Sequence, residues 1–175
     1  LSSCAGRPKT DKRDCYDKNI SNLTYKYPFE TTFLVAKIIQ EQDKEYTYCH
    51  VLSHRAAAIE TNKNPSRWKD VLERCPSVIC SNGCIHGVIQ EHFKKEDLSA
   101  NQLTQVNSTL LELCKGSNKS RTCKEKASCI HAIGHALMYL TDANVTDSIM
   151  LCDKTKEIYP EFDYSDMCYD GVFMQ

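Results

Sequence analysis

Apolar positions along this chain recur three and four residues apart, not on alternate residues, and that period predicts helices almost throughout. From residue 29 the stripe Phe33, Leu34, Val35 and Ile38 runs to about residue 42, where Asp43-Lys44-Glu45 interrupts it. A second helix is expected over 46–60, rich in the small residues Ala56 to Ala58. Asn64-Pro65 reads as a helix start, opening a third segment with Trp68, Val71 and Leu72 that stops at Cys75-Pro76. A fourth covers 83–95. Ser99 and Gln102 have capping-box spacing ahead of Leu103, Val106, Leu110, Leu111 and Leu113. Beyond a polar loop at 115–121, a short segment with Cys123 leads into a helix around Cys129; further helices follow over 145–152 and from Ser165. Residues 1–28 are polar, contain Pro8 and show no clear stripe, so they are expected to form an irregular arm tied by Cys4 and Cys15 ahead of a helical domain over 29–175.

The helices fall into two kinds. One kind ends in cysteine, at Cys75, Cys114 and Cys152, spaced 39 and 38 residues apart. The other opens on cysteine, at Cys49, Cys84, Cys129 and Cys168. A period of about 40 residues with two helices in each is the mark of stacked helical hairpins. The expected fold is therefore all-α: a disulfide-stapled, solenoid-like stack of hairpins with an irregular N-terminal arm. Staples are expected between Cys75 and Cys80 or Cys84, between Cys114 and Cys123 or Cys129, and between Cys152 and Cys168. In period and helix pairing alone the arrangement resembles helical-repeat proteins of the tetratricopeptide or Sel1-like kind. The Trp, Gly and Tyr signature of those repeats is missing, so no functional residue is carried over from them. Because the sequence stops inside the fourth cysteine-opened segment, trimming at the C-terminus is expected.

Composition narrows the setting. Eleven cysteines in 175 residues mean either disulfides in an oxidising compartment or thiolates on metal in a reducing one. Paired CxxC knuckles are absent, and five N-x-S/T sequons stand at Asn19, Asn22, Asn107, Asn118 and Asn144. Together these predict an extracellular or cell-surface glycoprotein with N-linked glycan and one cysteine left over. Leu1-Ser2-Ser3-Cys4 has the look of a lipoprotein signal tail, but a Cys4–Cys15 loop is the preferred expectation. A formal net charge of −1 argues against a nucleic-acid partner. No run reaches the ~20 apolar residues of a transmembrane helix.

Histidine supplies the candidate chemistry. Of six histidines, five lie in the cysteine-opened segments: His50 and His54 in CHVLSH, His86 in CIHGVIQ, His131 and His135 in CIHAIGH. Residues four apart share one helical face, so each pair presents two imidazoles to one point. Gln90 takes the second histidine place in its segment, and Asp170 the first place in CYDGVFM. His92 lies six residues after His86, about 240° around a helix at ~100° per residue, and is expected to face elsewhere. With thiols tied up in disulfides, imidazoles are the natural ligands for zinc or copper. Haem held by two histidines is a further option, without the CxxCH of covalent attachment.

His50, His54, His86, His131 and His135 are therefore the candidate metal ligands, with Gln90 or Asp170 assisting, of a secreted or cell-surface metal-binding protein. Repeats also reuse a residue for packing, which makes the first alternative an extracellular recognition module or scaffold with structural histidines. That module would engage another extracellular protein or a cell-surface assembly. A copper or haem redox protein is the second alternative. HExxH and phosphate-loop motifs are missing, and no nucleophile constellation stands out.

Overall fold

A computed structural model describes residues 2–76, 79–94, 98–116 and 122–174. The sequon at Asn118 and most of the polar loop around it lie outside the described residues. The described chain is helical, with no strand. Contacts divide it into two compact units, residues 1–92 and 93–175.

The first unit opens with helices α1 (Ser2–Ala5) and α2 (Lys9–Ser21), followed by a 3-10 turn, Asn22–Tyr25. The expected irregular arm is thus corrected: residues 2–28 are mostly helical. The reason is that α2 holds very few apolar residues, so it shows no stripe. Those few are nevertheless well placed, since Cys15, Tyr16 and Ile20 are all buried. They join Cys4, Ala36, Tyr46, Cys49 and Leu52 in the core, and the Cys4–Cys15 bond fastens α1 to α2. Tyr16 and Tyr46 meet edge-to-face at 5.2 Å. The Tyr46 hydroxyl donates to the buried Asp17 carboxylate at 2.8 Å.

Helix α3 (Phe29–Gln42) buries Phe29, Thr32, Phe33 and Ala36 and leaves Leu34 and Ile38 largely exposed. Helix α4 (Cys49–Lys63) buries Cys49, Leu52, Ser53, Ala56, Ala57 and Thr61, mostly small side chains that permit close neighbours. After Asn64 a 3-10 turn, Pro65–Arg67, leads into α5 (Trp68–Glu73). Arg74 then ties three segments together, with Nε on Glu30 at 2.7 Å and Nη1 on Glu60 at 2.8 Å. A 3-10 turn, Ile79–Asn82, precedes α6 (Gly83–Phe93).

The second unit contains α7 (Ala100–Lys115), α8 (Cys123–Leu140), α9 (Val145–Cys152), the short α10 (Thr155–Ile158) and α11 (Ser165–Phe173). Helix α7 begins at the expected capping box: the Gln102 side chain accepts from the Ser99 amide at 2.9 Å. Thr122 and Glu125 make a second box, the Glu125 side chain accepting from the Thr122 amide at 2.8 Å. That box starts α8 at Cys123, so Cys129 lies well inside a continuous helix instead of opening one. Helices α8 and α11 cross where Gly134 and Gly171 face each other. A Cβ on Gly134 would overlap the Cys168 carbonyl, and one on Gly171 the His131 carbonyl.

Five disulfides are formed, and Cys123 is the free, exposed cysteine. Cys75–Cys84, Cys114–Cys129 and Cys152–Cys168 each join the end of one helix to a neighbouring helix, as the spacing suggested. They close short loops of 9, 15 and 16 residues in sequence separation. Loops of this size stabilise a fold by ~2–4 kcal/mol each, mainly by restricting the unfolded chain. Cys49–Cys80 is the additional bond, fastening the start of α4 to the Ile79–Asn82 turn.

Candidate metal centre

The site grows from the contact between α4 and α6. Gly83 and Gly87, four apart, lie on one face of α6, and a Cβ on either would overlap the backbone carbonyl of His50 or His54 respectively. Only hydrogen at these positions lets the two backbones come so close. The residue beside Gly87 is His86, which is 4 % exposed and therefore committed to the interior. His50 and His54 project from α4 one turn apart and are half-buried. The three rings form a near-equilateral triangle, with centroids 4.8 Å apart for His50–His54 and 5.1 Å for each of them to His86. One nitrogen from each ring lies within 4.8 Å of the others. Among the described residues this is the group of three side chains able to hold a metal ion.

The hydrogen bonds decide which nitrogens are available. His50 Nδ1 lies 3.2 Å from the Cys80 carbonyl. A carbonyl only accepts, so Nδ1 carries the hydrogen and Nε2 keeps its lone pair. His54 Nδ1 lies 3.0 Å from Gln90 Oε1; with that oxygen accepting, the His54 Nε2 lone pair is left for a ligand. The two Nε2 atoms face each other at 3.0 Å. Two lone pairs at that distance repel unless a cation lies between them. Nitrogens 3.0 Å apart, each about 2.05 Å from a shared ion, subtend about 94° there, which suits adjacent ligand positions. The outer contacts to Cys80 and Gln90 are those that orient metal-bound imidazoles.

The same heavy-atom positions admit metal-free arrangements, one of them with both histidines neutral. With the Gln90 amide reversed, its N–H donates to His54 Nδ1, and His54 Nε2–H donates to His50 Nε2. Gln90 is thus the residue on which the two states of the site turn. Burial pushes the His54 pKa below its ordinary value; the hydrogen bond with Gln90 opposes this and the charge of His50 adds to it. His54 is accordingly neutral near pH 7 and able to bind metal.

The structure brings together three of the five expected ligands. His131 and His135 lie in the second unit as a pair of their own, Nε2 to Nε2 at 3.1 Å with ring centroids 4.8 Å apart. Gln90 stands behind His54 as a hydrogen-bonding partner. Asp170 is exposed on α11. His92 points away, as its angular offset required, and stacks on Trp68 at 4.6 Å with 18° between the planes.

One contributor was not foreseen, and another was foreseen in a different role. The Cys80 carbonyl meets His50 because Cys80 adopts φ 59°, a left-handed conformation that costs a non-glycine residue energy and gathers at functional sites. Nothing in a cysteine announces such a backbone. Gln90 was legible only as the occupant of a histidine place. No family model, curated protein or solved structure matches this chain. The site must be read from its own geometry.

Proposed function

We propose that this is a secreted or cell-surface metal-binding protein whose first unit holds a transition-metal ion of the zinc or copper class between His50, His54 and His86. The observation that carries the reading is the facing pair of Nε2 atoms at 3.0 Å, each ring backed at Nδ1 by an oxygen. Three neutral imidazoles form a borderline-soft donor set suited to either ion. They would leave a coordination position for water or an external ligand. The extracellular setting is supported by the five disulfides; no described helix is long and apolar enough to cross a membrane. The stapled helix pairs are read as degenerate copies of one hairpin.

The test is elemental analysis of protein isolated without chelator or nickel resin, alongside His86→Ala. One equivalent of zinc or copper, lost in the variant while helicity persists, is the expected result. Copper with an imidazole-nitrogen EPR signature would favour the redox alternative, and zinc would exclude it. Protein that neither carries nor takes up metal would leave the hydrogen-bonded arrangement through Gln90, and with it a recognition module with structural histidines.

A further inference from the structure

We infer that the Cys49–Cys80 disulfide is a redox latch on the three-histidine site: an external dithiol that opens the bond weakens the hold of the site on its metal ion. The inference rests on the reading of His50, His54 and His86 as metal ligands and names how that site is regulated.

Both ends of the bond meet the site. Cys49 opens α4 and immediately precedes His50. Cys80 lies in the 3-10 turn Ile79–Asn82, and its carbonyl, 3.2 Å from His50 Nδ1, orients that ring. The turn runs directly into Gly83, the first residue of α6, where a Cβ would overlap the His50 carbonyl. Cys80 holds φ 59°. Glycine accepts that conformation freely, whereas a residue with a Cβ does so at a cost in energy. The sulfur bond to α4 is the covalent tie on the Cys80 side chain that opposes relaxation of this strain. With the bond open, the Cys80 backbone is free to return to negative φ and to carry its carbonyl off His50.

Access singles out this bond. Cys80 is half-buried, whereas the nine other bonded cysteines are buried, at 9 % exposed or less. Thiol–disulfide exchange begins where a thiolate can reach a sulfur. A thiolate of the dithiol attacks Cys80 Sγ; the Cys49–Cys80 bond breaks, and Cys49 leaves with the electron pair and takes up a proton. The second thiol of the reagent then displaces Cys80 from the mixed disulfide, giving the Cys80 thiol and the reagent's own disulfide. Two electrons have passed from the dithiol to the protein. The freed Cys49 thiol does not replace the lost contact. It is packed in the core with Cys4, Cys15, Tyr46 and Leu52, and successive residues of a helix lie ~100° apart, so it is turned from the His50 face. Cys75–Cys84 still holds the start of α6. The site therefore loses an orienting oxygen and keeps its three imidazoles. Loss of such a partner weakens metal binding roughly 10–100-fold.

Two measurements test this. Native protein is exposed to limiting dithiothreitol without denaturant, quenched with an alkylating reagent and mapped by peptide mass spectrometry. Cys123 is free and labels at once; Cys49 and Cys80 should be the first bonded cysteines to follow. Zinc affinity is then measured by competition with a chromophoric chelator, before and after this bond is opened with a water-soluble phosphine, chosen because a dithiol would itself bind zinc. Reduction should weaken zinc binding roughly 10–100-fold, and reoxidation should restore it. Cys49→Ser/Cys80→Ser should show the weakened affinity and no response to phosphine; reduction of the unaltered protein keeps the test intact should that variant misfold. Another bond opening first, or zinc affinity unchanged or tighter once Cys49–Cys80 is open, overturns the latch and leaves the three-histidine site standing. Oxidised protein that takes up no zinc overturns the three-histidine reading, and the latch with it.

Discussion

Gln90 offers the sharpest test of how the three-histidine site works. Its Oε1 lies 3.0 Å from His54 Nδ1. If that oxygen accepts, the His54 Nε2 lone pair is free for metal; if the amide is reversed, Nε2–H is spent on His50. Gln90→Glu separates these states, because a carboxylate has no hydrogen to donate and enforces the metal-ready tautomer. Gln90→Leu removes the partner altogether. Outer-shell partners of metal-bound histidine are worth roughly 10–100-fold in affinity, or about 1.4–2.7 kcal/mol. Gln90→Leu should therefore weaken zinc binding by about that factor and cost the apo-protein only ~1 kcal/mol of stability, the net worth of one hydrogen bond. The loss is amplified in the loaded protein. At free zinc 1,000 times the wild-type dissociation constant, binding stabilises the fold by about 4.1 kcal/mol, and a 100-fold weaker variant retains about 1.4 kcal/mol of that. Gln90→Glu should bind zinc at least as tightly as the wild type. The assay is competition against a chromophoric zinc chelator at mildly alkaline pH, paired with urea denaturation with and without zinc. Wild-type affinity in Gln90→Leu, or loss of binding in Gln90→Glu, would refute the assignment of protons on which the metal reading depends.

Other outcomes follow from the packing. Gly134→Ala places a methyl group onto the Cys168 carbonyl and within 2.9 Å of the Gly171 Cα; overpacking of ~1–3 kcal/mol, partly offset by ~1 kcal/mol of helix propensity, should leave a net loss visible in urea denaturation. Gly6→Ala, with nothing within 4 Å of the added carbon, is the neutral control, and equal stability of the two variants would contradict the crossing described. Burial raises the Asp17 carboxyl above its ordinary range, although the Tyr46 hydroxyl opposes it. The folded state thus retains a proton that the unfolded state has lost, so this group's contribution is full below the unfolded pKa and declines as pH rises through the folded one. Asp17→Asn keeps the acceptor for Tyr46 and removes that decline; its stability relative to wild type should rise between about pH 4 and pH 7, and a constant difference would be the contrary result. Asn107 is fully buried, with Nδ2 donating to the Leu151 carbonyl at 2.7 Å, so glycopeptide mapping after secretory expression should find it bare while the exposed Asn22 and Asn144 carry glycan. Occupancy at Asn107 in folded protein would contradict the packing of α7 on α9.

Much of the helical framework was legible because its determinants are local. The limits of α3, the Ser99–Gln102 box and the start of α11 at Ser165 follow from stripes, caps and breakers within a few residues. Cysteine spacing narrowed the staples of Cys75 and Cys114 to two partners each and named Cys168 for Cys152, since short loops restrict which sulfurs meet; packing chose Cys84 and Cys129. Helix α2 was missed because its few apolar residues acquire meaning only against Tyr46 and Leu52, far along the chain.

The histidine site divides along the same line. Spacing alone put His50 beside His54 and His131 beside His135, because a helix carries residues four apart on one face whatever surrounds it. It also turned His92 aside, by its angle from His86. Which pair acquires a third buried imidazole depends on which helix crosses it, and that was settled by Gly83 and Gly87 against the carbonyls of α4. His86 is enclosed with His50 and His54, while Asp170 is exposed on α11. The orienting oxygens, from the left-handed Cys80 and from Gln90, come from the tertiary structure alone. A side chain's partner across a helix crossing is set by the packing of two backbones, and a local pattern carries no record of it.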